Sequence, residues 1–349
     1  MKKIFLITSL PVINFGSNKT VKTAGNQSMY NMLKYYNIRG YKVLVYVLGE
    51  KNGIDFNEWN NIEFYYAKEY QYFKIFQLLS KKIKELYAMF SPLTEIRTER
   101  TNDFVAPSES KGAKLQCLYY EIVGKFFAKS ILKKFHPDII YGYEINGVPL
   151  ARSLATKFNL PLVTRFQGTP LVFYKNYDVV PTLAKITATK SELVIMTNDG
   201  SDGKNILKKL GVNEEKIRFW VNGLHDKEKY LGIQKNNAIR EKWGIDKNGF
   251  VLCTSNRLVD WKRTDKVVRV FALLQNDYLK NSYLIIIGDG PEKRKIEKMI
   301  EDMGIKNIIF TGAIEHEEAI EYMANANLVT TMNYGANLGN SILESLALG

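Results

Sequence analysis

Residues 250–312 read FVLCTSNRLVDWKRTDKVVRVFALLQNDYLKNSYLIIIGDGPEKRKIEKMIEDMGIKNIIFTG, and this stretch decides the fold. Phe250–Thr254, Tyr283–Ile287 and Asn307–Phe310 carry short apolar runs without polar alternation, as strands buried on both faces require. Between them the period changes. Val267, Val268, Phe271 and Leu274 share one helical face, and Ile296, Met299, Ile300 and Met303 share another. The spacing predicts helices over Thr264–Leu274 and Glu292–Met303. Buried strands joined by amphipathic helices make a parallel sheet with right-handed crossovers, so the segment is a doubly wound α/β unit.

The same alternation extends in both directions. Downstream come a short helix near Glu317–Met323, a strand at Leu328–Met332 and a helix opening near Gly339. A further strand and helices are expected after Gly349, so the second domain reads as incomplete. Upstream, strands are predicted at Lys3–Thr8, Lys42–Leu48, Ile62–Tyr66, Asp138–Tyr141, Pro161–Arg165, Leu193–Thr197 and Lys216–Val221. Helical periodicity fills Gly25–Tyr36 and Phe73–Phe90. It returns where Lys125, Lys129 and Lys133 form a stripe beside Phe126, Phe127 and Ile131. Ser91 to Gly112 reads as a loop. The polar run His225–Asn237 lacks apolar periodicity and suits a hinge. Two domains follow, 1–224 and 225–349.

Composition narrows the class. The 349 residues suit two domains, and 46% hydrophobic with 24% charged residues are ordinary values for a folded globular chain. Forty-nine basic against 36 acidic residues leave a net charge of +13, which favours polyanionic neighbours. Cys117 and Cys253 are far apart and form no disulfide framework or metal cluster, which suits a reducing compartment. Lys2-Lys3 before Ile4–Ile7 imitates a signal peptide, but Thr8, Ser9 and Pro11 break the apolar run, so it reads as a strand. No run reaches the ~18 apolar residues of a membrane span. The sequence leads to the expectation of a soluble, cytoplasmic protein.

No GxxxxGK[ST] loop is present. Gly288-Asp289-Gly290-Pro291 follows a strand and opens a helix, yet the third glycine of a dinucleotide fingerprint is replaced by Lys293. A tight turn with Pro291 at the first helical position accounts for it. His136, His225 and His316 are scattered and read as surface or turn residues, and no Asp-x-Asp pair offers a metal site. Three features suit an anion. Arg257 and Lys262 follow the end of a strand, where open α/β sheets bind ligands. The run Asn333–Asn340 leads into a helix start, whose free amides favour phosphate. Glu344 stands a little over one turn into that helix, where a carboxylate can accept hydrogen bonds from ribose hydroxyls. Taken singly, the cations also read as solvated loop charges, Gly339 as a turn glycine and Glu344 as an exposed helix residue.

At these residues the sequence resembles the retaining glycosyltransferases of family 4, whose GT-B fold sets two Rossmann-like domains face to face across a cleft. Val251–Leu258 with Lys262 looks like the family's "GRL…KG" segment, and Leu284–Pro291 like its "VGDGP" turn. Ile309–Gly312 resembles its "F-x-G" strand, Gly339–Gly349 its "G…LEAMALG" helix, and Val221-Asn222-Gly223 its interdomain "NG" link. The resemblance implies that Arg257 and Lys262 neutralise a departing diphosphate and that Glu344 holds the nucleotide ribose. It further implies that Gly339 and Asn340 meet phosphate, and that Gly312 and Ala313 meet the base. Gln167, Gly168 and Thr169 stand on the acceptor side. No metal or other cofactor is implied.

The sequence departs from the family twice: Ala336 replaces a glutamate eight positions before Glu344, with Asn337 after it, and Gln167-Gly168 replaces His-Gly. The expected activity is transfer of a sugar, with retention, from a nucleotide-diphosphate-sugar to a glycan or lipid-linked acceptor in bacterial cell-surface polysaccharide synthesis. Aromatics interleaved with lysines in Phe73–Phe90 and Lys114–Phe135 suggest an anionic membrane surface as a further partner. A sugar-nucleotide 2-epimerase of the same architecture is one alternative, although no acid/base set stands out. A catalytically silent sugar-nucleotide-binding subunit, motivated by Ala336, is another. Nucleic-acid binding rests on charge alone and is not expected.

Overall fold

The computed structural model describes residues 2–9, 13–15, 22–24, 27–49, 59–68, 70, 72, 111–167, 190–197, 203–209, 211–220, 223–224, 230–277, 279–333 and 338–349. Contacts divide the chain into two compact units. The first comprises Met1–Val12, Met29–Thr197 and Asp202–Trp220; the second comprises Ile13–Ser28, Asn198–Ser201 and Val221–Gly349.

In chain order the elements up to residue 220 are β1 (Lys3–Thr8), β2 (Ile13–Phe15), β3 (Lys22–Ala24), α1 (Gln27–Ile38), β4 (Lys42–Val47), β5 (Ile62–Tyr66), α2 (Lys111–Phe135), β6 (Ile139–Tyr143), α3 (Glu144–Phe158), β7 (Leu162–Gln167), β8 (Leu193–Thr197), α4 (Gly203–Lys209) and β9 (Ile217–Trp220). Seven strands pair in parallel in the order β5-β4-β1-β6-β7-β8-β9. Phe5, Ile7, Leu44, Tyr46 and Leu48 bury one face against Ala128 and Leu132 of α2 and Leu150, Ala151 and Leu154 of α3. β2 and β3 form a separate antiparallel pair, which periodicity did not foretell because each strand has only three residues. The helix expected at Phe73–Phe90 lies outside the described residues. So does the loop from Ser91, except that Lys111 and Gly112 already belong to α2.

The second unit continues with α5 (Ala238–Lys242), β10 (Phe250–Ser255), α6 (Thr264–Asp277), β11 (Ser282–Ile287), α7 (Lys293–Asp302), β12 (Ile308–Gly312), α8 (His316–Ala324), β13 (Leu328–Val329) and α9 (Asn340–Leu348). Its sheet is parallel, in the order β12-β11-β10-β13. Alternate residues of the central strands serve opposite layers, because successive side chains of a strand point to opposite faces. Leu252, Leu284 and Ile286 pack with Val267, Val268 and Phe271 of α6 and Ile296 of α7. Val251, Cys253, Ile285 and Ile287 pack instead with Ile239, Ile320, Tyr322 and Met323. Both units are therefore doubly wound Rossmann-like α/β structures.

Two expectations change. Tyr230 is buried and Ile233 packs beside it in the second core, so the part of the polar run from Tyr230 onward is anchored on the second unit. A single aromatic supplies that anchor, and one residue has no periodicity. The strand expected at Leu328–Met332 shrinks to two residues, since only Leu328 and Val329 pair with β10.

The turn after β11 shows why its glycines are needed. Gly288 has φ +125, and a Cβ there would collide with the carbonyl oxygen of Asn256; a Cβ on Gly290 would collide with that of Leu258. Backbone bonds close the contact: Asn256 N–H donates to Ile287 O (3.0 Å), Leu258 N–H to Asp289 O (3.0 Å) and Glu292 N–H to Leu258 O (3.1 Å). The Gly-Asp-Gly-Pro run is a brace for the loop after β10. Gly290→Ala should cost ~1–3 kcal/mol by overpacking against backbone that cannot rotate away. The check is a urea unfolding midpoint for the second unit's core; an unchanged midpoint would mean that residues 256–258 move aside freely.

Candidate functional site

The braced loop carries the two cations singled out from the sequence. After β10 the chain runs through Asn256, Arg257 and Leu258 into a 3-10 turn, Asp260–Lys262. Leu258 is fully buried and anchors the loop from below, while its neighbour Arg257 is exposed. The Asn256 side chain ties both ends: its Nδ2 donates to Thr254 Oγ1 (3.1 Å), and its Oδ1 accepts from Thr264 Oγ1 (3.1 Å) at the start of α6. Arg263 takes a left-handed conformation (φ 49) and grips Asp265 with two bonds of 2.9 and 2.8 Å. Among the described residues Arg257 and Lys262 form no ion pair, so their charge is uncommitted. The Lys262 ammonium lies 4.3 Å from the centre of the Trp261 ring, and burial pushes it down to about 8.

The second group of candidate residues stands at the start of α9. Gly339 precedes it in extended conformation (φ −63, ψ 160), with no side chain capping the first amides. Its carbonyl takes the N–H of Ile342 (3.0 Å), which leaves the amides of Asn340 and Ser341 without acceptors in the helix. Glu344 is the fifth residue of α9, ~6 Å along the axis from Asn340 at 1.5 Å per residue. It is only 6% exposed, so its reading as an exposed helix residue is wrong. Its Oε1 lies 2.8 Å from Nε2 of His316, the first residue of α8. Gly312 closes β12 at φ +72, accepting from Gly288 N–H (2.9 Å), and Ala313 follows it half-buried.

Topology brings these groups to one edge. All four strands run in the same direction, so the segments after β10, β12 and β13 leave from the carboxyl edge of the sheet. The strand order reverses between β10 and β13, and that reversal opens the crevice in which such sheets bind ligands. Arg257 and Lys262 follow one strand of that pair, and Gly339, Asn340 and Glu344 follow the other. Gly312 and Ala313 sit at the same edge, two strands over. In the first unit Gln167 is the last residue of β7, its side chain undescribed; Gly168, Thr169, Ala336 and Asn337 lie outside the described residues. His316 is the residue that sequence reasoning missed. Its side chain is 39% exposed, in keeping with a surface histidine, but nothing local in the chain announces a partner 28 residues away. No group of three or more His, Cys, Asp or Glu among the described residues is placed to hold a metal ion.

The lowered Lys262 value has a signed consequence. Below about 8 the ammonium is charged in both folded and unfolded chains, and its burial penalty is fully present. Between there and the unfolded value of ~10.4 the folded state binds fewer protons, so its contribution to stability rises with pH. Stability of the wild type relative to Lys262→Met should accordingly climb over that window. Binding of inorganic pyrophosphate should show the opposite trend, weakening through about pH 8 as the charge is lost. Lys262→Arg, titrated alongside to cancel the ionisation of pyrophosphate itself, should lack the step; an identical step in that variant would remove Lys262 from the anion site.

Comparison with known proteins agrees with this geometry. The family model described as glycosyl transferases group 1 matches residues 235–349. An uncharacterised glycosyltransferase of Methanocaldococcus jannaschii is 27% identical over 175 residues, covering 50% of this chain and 43% of that protein. A GDP-mannose-dependent alpha-mannosyltransferase of Corynebacterium glutamicum is 25% identical over 232 residues, covering 63% of this chain and 51% of that protein. The chain thus spans about half the length of the curated relatives it matches. Among solved structures, Anabaena HepE in complex with UDP and glucose superposes with a TM-score of 0.59 at 17% identity, over 100% of this chain and 79% of HepE, a likeness of fold. The braced cationic loop, the switch-point crevice and the α9 amide end all fall inside residues 235–349, the segment that matches the glycosyl transferases group 1 model.

Proposed function

We propose that the protein is a retaining glycosyltransferase that moves a sugar from a nucleotide-diphosphate-sugar to a glycan or lipid-linked acceptor in bacterial cell-surface polysaccharide synthesis. The observation that carries this reading is the pairing, at one strand-order reversal, of two uncommitted cations with a free helix amide end and a buried carboxylate. A nucleoside diphosphate fits that set. Its ribose hydroxyls meet Glu344, its phosphates the amides of Gly339 and Asn340, and its base the backbone at Gly312 and Ala313. When the bond from sugar to diphosphate breaks, negative charge grows on the leaving oxygen. Arg257 and Lys262 meet that charge without reorganising, because Asn256 and the Gly288–Gly290 brace already hold their loop. These fixed cations take the place that a divalent metal would otherwise fill. The nucleotide-dependent names among the relatives support the donor class.

The acceptor side is assigned to Gln167, Gly168 and Thr169, and delivery of a lipid-linked acceptor to a membrane surface. No described helix is long and apolar enough to cross a membrane. Yet α2 exposes Phe126 (79%) and Ile122 (62%) beside the exposed or half-exposed Lys125, Lys129 and Lys133. Such a face suits an anionic leaflet, where the aromatic enters and each lysine adds ~1 kcal/mol. We place the protein at the cytoplasmic face of the plasma membrane on that ground.

Lys262→Ala should lower turnover by roughly 10²–10³-fold with little change in donor KM. Retention of wild-type sugar transfer by that variant would refute the leaving-group assignment. Turnover itself decides against a silent binding subunit, and donor epimerisation without acceptor would favour the epimerase reading instead. Excess EDTA should leave transfer unchanged. On the membrane side, Phe126→Asp should release the protein from phosphatidylglycerol vesicles in a sedimentation assay, with no binding to phosphatidylcholine vesicles at any salt concentration. Equal partitioning onto neutral vesicles would sink the electrostatic part.

A further inference from the structure

We infer that His316 is a positioning residue for nucleotide recognition: its imidazole holds the Glu344 carboxylate in the one orientation that can read ribose hydroxyls. The inference rests on Glu344 being the ribose acceptor, as proposed above. An ionised carboxylate only accepts hydrogen bonds, so the 2.8 Å contact requires the proton on His316 Nε2. That bond engages Oε1. Among the described residues Oε2 accepts no hydrogen bond, which leaves it as the oxygen for ribose.

The surrounding packing makes this more than a chance pair. α8 and α9 meet along an apolar seam in which Ala319, Ile320 and Met323 lie in one cluster with Ala347 and Leu348. His316 stands one turn before Ile320, and Glu344 one turn before Leu348, so the pair closes the seam at its upper end. Glu344 is the only charged residue of α9, and its acidic neighbours on and beside the first turn of α8 are Glu315, Glu317 and Glu318. A buried carboxylate oxygen needs a hydrogen-bond donor, and a glutamate left to rotate would spend its freedom on orientations that miss the ligand. His316 supplies the donor and removes the freedom. A second helix thereby takes part in recognition through its bond to Glu344.

The test must separate positioning from a plain tie between helices. The full chain is titrated calorimetrically with UDP and GDP and with their 2′,3′-dideoxy counterparts, and the readout is the ratio of ribo to dideoxy affinity. We expect a large ratio in the wild type. His316→Ala should weaken the ribonucleotide roughly tenfold while hardly touching the dideoxy form, so the ratio falls towards one. His316→Gln, which keeps an N–H donor at the Nε2 position, should restore most of it. His316→Asn, with its amide one methylene short, should not, and it replaces the alanine variant should that one fail to fold. Equal weakening of both nucleotide forms, or a ratio unchanged in both His316→Ala and His316→Asn while Glu344→Ala abolishes it, overturns the positioning role alone. A ratio unchanged in Glu344→Ala, or no binding of either diphosphate to the wild type, overturns the ribose reading beneath it as well.

Discussion

One close approach governs the carboxyl edge of the second sheet: the carbonyl oxygens of Asn256 and Leu258 occupy the space where side chains at 288 and 290 would begin. Two strand-end loops thereby become one body, sealed by backbone bonds in both directions. A cation on a loose loop is screened and pays entropy each time it meets an anion. A cation on a loop with no freedom left has met those costs during folding. The two glycines are therefore electrostatic residues at one remove, although neither carries a charge.

Lys262 shows the same economy from another side. Its ammonium rests against the Trp261 ring and has surrendered part of its hydration, as its depressed proton affinity records. Taking a cation out of water is unfavourable until an anion arrives, and then every charge interaction in that drier place is stronger. Arg257, exposed one turn earlier, keeps its water. The two cations thus differ in hydration, one exposed and one partly withdrawn from water.

Much of this was legible in the chain, for reasons that differ from residue to residue. Strands buried on both faces write themselves as unbroken apolar runs, so β1, β4, β10 and β11 could be read within a residue or so. Arg257, Lys262 and Glu344 could be placed because topology puts strand ends on one edge whatever the side chains do. Their burial could not. Glu344 is flanked by Leu343 and Ser345, and nothing in that triplet distinguishes a sealed carboxylate from a solvated one. His316 was illegible for a related reason: its role is set by a contact between helices far apart in sequence, which leaves no period to detect. Tyr230 hid in a polar run because an anchor needs only one residue. The Gly-Asp-Gly-Pro turn was read correctly as a turn, but its partner loop, thirty-odd residues upstream, gives it its purpose.

The strand order of the second sheet also sets a sequence of events in time. Leu252 pairs with Leu284 on one side and with Leu328 on the other, so β10 finds its first neighbour across a short crossover and its second across more than twice that length of chain. Closing the longer loop costs more entropy and is rewarded by only two paired residues. The β10–β11–β12 half, with its glycine brace, is thus the part that assembles early. The edge where β13 docks, and with it the helix carrying Glu344, is the part that arrives last and leaves first. Were that edge to detach, the cationic loop would keep its glycine brace while the crevice lost its other wall.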